Sequence, residues 1–84
     1  TIQTSSSSDG ISVSFSKARI ENCTISNRNR AIVGFNVSHI HSFNNSGSGN
    51  SIGLSVKEGS VIAKNGTQPT GTTAEEMVTG GVIR

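Results

Sequence analysis

Two histidines separated by one residue are the part of this sequence best suited to chemistry. His39 and His41 flank Ile40. If the segment is a strand with Ile40 facing inward, both imidazoles face outward, because successive strand side chains alternate between two faces. Imidazoles exchange protons near neutral pH, form hydrogen bonds and bind metals. The sequence therefore indicates a polar surface on this strand.

An internal repeat brings two more polar residues to the same surface. It aligns Arg19 and Glu21 with His39 and His41, one coil earlier in the chain. We therefore predict that Arg19 lies beside His39 and Glu21 beside His41. Together these four residues would line a groove that holds sugar hydroxyls. The simpler interpretation, which the sequence favours over the groove, is that both histidines are solvated surface residues without a ligand.

A metal site is a second interpretation of the histidine pair. His39 and His41 at a threefold axis would supply two ligands per chain, hence six nitrogens, which suits an octahedral transition metal. That geometry requires both imidazoles to point towards the axis, whereas the repeat turns Ile40 inward. The metal site therefore remains an alternative, and the sequence predicts no cofactor.

Other catalytic arrangements are not recognisable in the chain. Hydrolysis of a glycosidic bond needs two carboxylates that flank the bond. The carboxylates are Asp9, Glu21, Glu58, Glu75 and Glu76. No two of them share an evident repeat position, so we predict no catalytic residue and do not expect this chain alone to be an enzyme. Cys23 is the only cysteine, which excludes an internal disulfide.

The element that would position these residues is a repeat. The blocks Ile11–Phe15, Ala31–Phe35 and Ile52–Val56 align, and Gly59-Ser60-Val61-Ile62 recurs as Gly80-Gly81-Val82-Ile83. A step of about 20–21 residues is typical of solenoids, in which stacked repeats share one core. Ile11, Val13 and Phe15 alternate with serines, as expected of a strand with one buried face.

We therefore predict an all-β fold, a right-handed parallel β-helix of about three to four coils in a trimer. An interwound trimeric β-fibre and an antiparallel sandwich remain alternatives. The side chains expected in the core are Ile11, Val13, Phe15, Ile20, Val33, Phe35, Ile40, Leu54, Val56 and Val61.

Composition limits the size and the partners of this fold. At 84 residues with 31% hydrophobic residues, the chain has one domain at most and a thin core. Its formal charge is +2 and its cations are dispersed, so no basic patch predicts nucleic-acid binding. No apolar run is long enough to span a membrane.

We divide the chain into a Ser-rich lead-in at residues 1–10, β-helix coils at 11–71 and a terminal segment at 72–84. The terminal segment is expected to be a partial coil or to contact other chains. Solenoids usually end in atypical capping repeats, and none is recognisable here. We therefore expect a fragment or a processed product, or ends covered by other chains.

Several short sequence segments resemble those of known β-helices. Gly10-Ile11-Ser12-Val13, Ile20-Glu21-Asn22-Cys23-Thr24-Ile25 and the Asn-bearing turns resemble the pectate-lyase-like family. The stretches Gly59–Gly66 and Gly80–Ile83 are similar to distal parts of bacteriophage tailspikes and neck appendages. No catalytic motif of the family can be placed in this chain.

The resemblance implies a homotrimeric virion protein for host attachment, located in a virion tail or outside the cell. Such a segment would be structural and adhesive, and its partners would be copies or other segments of the same protein and a host-surface polysaccharide. The alternative that the resemblance suggests is a fragment of a polysaccharide lyase or hydrolase with Glu21, His39 and His41 in its groove.

Overall fold

The structure, a computed structural model, describes residues 9–84, and most of the predicted Ser-rich lead-in, residues 1–8, lies outside that range. Eight strands follow one another along the chain. They are β1 (Ile11–Ser14), β2 (Lys17–Glu21), β3 (Arg30–Phe35), β4 (His39–Phe43), β5 (Asn50–Val56), β6 (Val61–Asn65), β7 (Gly71–Met77) and β8 (Val82–Ile83).

The strands form two parallel four-stranded sheets. The first sheet has the order β1-β3-β5-β7 and the second has the order β2-β4-β6-β8. Each coil adds one strand to each sheet, so about three turns stack in a solenoid-like column. The predicted all-β parallel solenoid is thereby confirmed, and the antiparallel sandwich is excluded because every strand pair is parallel.

The register of the first coils differs from the sequence alignment. Ile11 pairs with Ile32, not with Ala31, and Ile32 pairs with Leu54. The step is therefore one residue longer than predicted in both pairings. A slip of one residue exchanges the two faces of a strand. Later in the chain the alignment was right, since Val56 pairs with Met77 and Val61 with Val82.

The cause of the irregular step lies partly in the corner between the two sheets. Phe15 is the only residue of the first corner in the left-handed region, whereas the second corner has both Asn36 and Val37 there. The second corner is therefore one residue longer, and the step grows from 21 residues in the first sheet (Ser14 to Phe35) to 22 in the second (Lys17 to His39).

The core lies between the two sheets, and its prediction is confirmed for five of the ten predicted residues. Val13, Ile20, Ile40, Leu54 and Val56 are buried in one cluster. The alignment missed four further members of this cluster, Ile25, Ala31, Ile32 and Ile62. Burial of such side chains is the main favourable contribution to a fold of this kind.

Four predicted core residues lie elsewhere. Val61 is half-buried on the outer face of the second sheet, where it pairs with His39. Phe15 is 77% exposed, because β1 ends at Ser14 and the left-handed backbone of the corner turns the ring outward. Phe35 is only half-buried, and Val33 is fully buried on the outer face of the first sheet. Gly34, which separates Val33 from Phe35 in the sequence, pairs with Val13 and takes the inward-facing position. Val33 and Phe35 therefore point to the outer face.

Buried amides hold the segments that return from the second sheet to the first. The Asn45 side chain donates to the carbonyl oxygen of Ile20 at 3.0 Å and accepts from the Cys23 amide at 2.9 Å. Asn50 likewise donates to the Ile25 carbonyl at 3.1 Å. These contacts satisfy backbone groups that the sheets leave unpaired. The Asn-rich runs were expected only as polar turns, but two of these residues are fully enclosed.

An ion pair closes the core below the third coil. Glu75 lies under Leu54 in the first sheet, and Lys64 lies under Ser42 in the second. Their side chains form an ion pair across the gap between the sheets. Charged side chains thus replace apolar ones where the stack reaches solvent. Within residues 9–84, no helix has the length and hydropathy needed to cross a membrane.

Candidate functional site

The outer face of the second sheet carries the histidine pair. On β4, Ile40 and Ser42 are buried while His39 and His41 are exposed. This alternation follows from the strand geometry, since neighbouring side chains point to opposite faces. The structure therefore places both imidazoles on the solvent side of the sheet, as the sequence predicted.

The neighbours of the histidines differ from the prediction. Lys17 pairs with His39, and Arg19 pairs with His41. The predicted pairs, Arg19 with His39 and Glu21 with His41, were wrong by two residues. A slip of two residues keeps every side chain on its face but changes every cross-strand neighbour. Both histidines consequently lie beside a cation.

Glu21 is engaged on its own strand. Arg19 Nε donates to Glu21 Oε1, and both side chains are exposed. The cross-strand neighbour of Glu21 is Phe43. The structure thus brings Arg19, His39 and His41 together, while Glu21 lies at the rim and its carboxylate faces Arg19. An exposed ion pair of this kind contributes little to stability.

A shallow depression of about 300 Å³ lies among these side chains, and we call it the basic depression. Its lining residues are Lys17, Ala18, Arg19, His39 and His41. The two imidazole rings meet edge to face, with centroids 6.5 Å apart and planes at 74°. Ring nitrogens and cationic groups on one open surface can form hydrogen bonds and ion pairs with a polar ligand.

A second depression of about 190 Å³ continues from the first and is called the aromatic depression. It shares Arg19 and His41 with the basic depression and adds Phe43 and Lys64. Sequence analysis missed Phe43, although it follows His39 and His41 at the same spacing of two and therefore shares their face. The outer face of the second sheet thus combines cations, imidazoles and one aromatic ring.

The first sheet also carries a depression, of about 340 Å³, and we call it the balanced depression. Two carboxylates and two cations contribute to its lining: Asp9, Glu58, Arg30 and Lys57. Arg30 donates to both carboxylate oxygens of Asp9, at 2.9 and 2.8 Å. These hydrogen bonds raise the pKa of the Arg30 guanidinium above its ordinary value.

The metal interpretation finds limited geometric support. His39 and His41 share one surface, but within residues 9–84 no third His, Cys, Asp or Glu joins them in a group suited to a metal ion. Ile40, between them, is fully buried. Two imidazoles fill only part of a coordination shell, so further ligands would have to come from other chains.

Comparison with known proteins finds no match to this chain among family models, curated proteins or solved structures.

Proposed function

We propose that this chain is a structural and adhesive segment of a trimeric appendage, viral or cell-surface, which contacts host glycans. The observation that carries the proposal is the joined basic and aromatic depressions on the second sheet. Sugars present both hydroxyls and apolar ring faces. Arg19, His39 and His41 match the hydroxyls as hydrogen-bonding groups, and the ring of Phe43 matches the apolar faces.

The architecture supports the same proposal. Stacked parallel strands form a repeating structure, and each of its two four-stranded sheets presents an outer face to a ligand or a partner. The proposed helix is right-handed, because parallel strands of one sheet that are joined by a crossover are right-handed in about 98% of cases. The sequence phrases similar to tailspikes and neck appendages favour a location in a virion tail or outside the cell.

Binding is favoured over hydrolysis on this surface. Hydrolysis of a glycosidic bond requires two carboxylates on either side of it. Glu21 is the only carboxylate that the described chain places on the outer faces of β2 and β4, and Arg19 engages it. The group is therefore poorly placed to act as one of a catalytic pair.

Glycan contact is tested by measuring the binding of the chain to a panel of immobilised surface polysaccharides. The double substitution His39→Ala/His41→Ala should weaken binding at least about tenfold, as expected for the loss of hydrogen bonds in the contact. Thr72→Ala, an exposed change on the first sheet, serves as the matched control. Absence of binding to every polysaccharide would refute the function.

The trimer is a separate part of the proposal. Met77, Val78 and Val82 are 52%, 43% and 42% exposed near the last strands, which leaves apolar surface for a neighbouring chain. Sedimentation should therefore show a trimer, and Val78→Ser/Val82→Ser should dissociate it. A folded monomer in dilute solution would contradict the trimer without affecting glycan binding.

A further inference from the structure

We propose that the basic depression is an oxyanion site, which binds a carboxylate, sulfate or phosphate group carried by a host glycan. The inference rests on the proposed function and defines the chemistry of its ligand. It follows from the charges that the structure assembles around the depression.

Four of the five residues that line the basic depression carry cationic or imidazole groups, although apolar atoms of the lining residues make up most of its exposed surface. Lys17 and Arg19 contribute permanent positive charge, and His39 and His41 contribute imidazoles that can donate hydrogen bonds. No carboxylate is part of this lining. In the described chain Lys17 forms no ion pair, so its ammonium group is available to a ligand. An oxyanion here would receive charge-assisted hydrogen bonds, which are stronger than neutral ones.

The charges around the depression come from three strands. Glu21 on β2 pairs with Arg19 and lies at the rim. Lys64 on β6, beside the aromatic depression, pairs with Glu75 of β7. That pair lies in the gap between the sheets, so Glu21 is the carboxylate next to the depression, and Lys17 remains as the cation of the lining without an ion partner in the described chain. This arrangement selects a ligand that brings its own negative charge.

The position of the aromatic depression indicates how the rest of the ligand lies. Because Arg19 and His41 line both depressions, a group bound between them continues directly towards Phe43. Phe43 is 36% exposed, which leaves part of its ring open to an apolar sugar face. An acidic glycan therefore fits with its oxyanion in the basic depression and a further sugar ring over Phe43.

A nucleic acid fits this surface less well than an acidic glycan. Binding of nucleic acid depends on many phosphate contacts and on a large basic surface. The depression has two permanent cations, one of which already pairs with Glu21. A volume of about 300 Å³ suits one sugar-sized group rather than a phosphate backbone.

The test compares acidic glycans with their neutral counterparts. Uronate-bearing, sialylated and sulfated oligosaccharides are measured against the same oligosaccharides after carboxyl reduction or desulfation, at low and at physiological salt. The acidic forms should bind and the neutral forms should bind at least about tenfold more weakly, with affinity falling as salt screens the charges. A phosphate-bearing oligonucleotide of matched charge should bind more weakly than the acidic glycans.

Three single substitutions are expected to weaken, strengthen and leave unchanged the binding of acidic glycans. Lys17→Gln should weaken binding of acidic glycans about tenfold, because it removes the available ammonium group. Glu21→Gln should strengthen binding a few-fold, because it removes negative charge at the rim and releases Arg19. Lys57→Gln makes the same charge change as Lys17→Gln at the balanced depression and should leave binding unchanged.

The outcomes separate this inference from the function beneath it. Equal binding of acidic and neutral forms, or full affinity in Lys17→Gln, would overturn the oxyanion site and leave glycan contact standing. An oligonucleotide that binds as tightly as the glycans would overturn the glycan as the ligand. Failure of all glycans, acidic and neutral, would remove the proposed function and the inference together.

Discussion

The two sheets carry depressions of similar size but different charge, one lined by both carboxylates and cations and the other by cations and imidazoles. The balanced depression on the first sheet measures about 340 Å³, and the basic depression on the second measures about 300 Å³. In the first, Arg30 is clamped by both oxygens of Asp9. In the second, Lys17 has no ion partner within the described residues.

This difference shows that the volume of a depression does not by itself identify a binding surface. The polar groups of the first sheet bind one another: Ser55 donates to Glu76 at 2.8 Å, and Arg30 links two coils through Asp9. Groups that are already satisfied gain little from a ligand. The exposed cations and imidazoles of the second sheet retain that capacity, because the sheet itself uses few of them.

The largest expected effect tests the core that supports both faces. Ile40 is fully buried between the two sheets, so Ile40→Ala should lower the free energy of unfolding by about 2–5 kcal/mol. Chemical denaturation measures this loss. His41→Ala, one residue further on the exposed face, should stay within about 0.5 kcal/mol of the parent. Equal losses for both would mean that the faces of β4 are wrongly assigned.

The next prediction compares one ion pair from each sheet, Asp9–Arg30 and Arg19–Glu21, by double-mutant cycles. Asp9 and Arg30 have side chains only 22% exposed and share two hydrogen bonds, so their coupling should be about 1 kcal/mol. Arg19 and Glu21, 63% and 40% exposed, should couple by no more than a few tenths. A stronger coupling for Arg19 and Glu21 would reverse the contrast between the two faces.

The Arg30 pair also predicts a pH dependence. Hydrogen bonding to Asp9 raises the pKa of Arg30 in the folded state. A raised pKa gives stability that is fully present below the unfolded-state value and is lost only as pH rises through the folded-state value. Both values lie in the strongly alkaline range. The destabilisation caused by Arg30→Gln should therefore be the same at pH 7 and pH 9, and a decline over that interval would contradict it.

The smallest expected effect concerns the corner that joins the two sheets. Val37 has φ of 60° and is 72% exposed, a strained conformation for a β-branched residue. Val37→Gly should stabilise the chain by about 0.5–1 kcal/mol, because relief of strain exceeds the entropy that glycine loses on folding.

The next coil provides a matched control for this prediction. Gly59 occupies the equivalent corner with φ of 75°, and open space surrounds the position of an added Cβ. Gly59→Ala should therefore destabilise by about 1 kcal/mol through the backbone alone. Thermal or chemical unfolding measures both changes. Destabilisation by Val37→Gly would show that the valine side chain makes a contact in the assembly.

The direction of the site's side chains could be predicted from the sequence, but their cross-strand neighbours could not. The outward direction of His39 and His41 followed from Ile40 and the alternation of a strand. Their neighbours did not, because the step in the first sheet is already one residue longer than the alignment gave, and the extra corner residue at Asn36 and Val37 adds a second. Because the chain is rich in Ser and Asn and has few apolar residues, its sequence fits more than one strand register equally well.

The core shows the same limit. Ile40 could be recognised because the repeat aligns it with Ile20, and Val56 because it follows Ile52 and Leu54 at a regular spacing of two. Phe15 could not, because its exposure depends on where β1 ends and the corner begins. Asn45 and Asn50 gave no signal of burial, as a polar residue is enclosed only when backbone groups from other coils reach it.

By itself the sequence determined the repeated parallel strands, the alternation of faces and the outward position of the histidine pair. These properties arise from local patterns, because an apolar residue at every second position favours a strand with one buried side. Only the tertiary structure decided which cation lies beside which histidine and that Asp9 neutralises Arg30 on the opposite sheet. Those contacts join residues about 21–22 positions apart, so a single residue gained or lost in a corner changes them all.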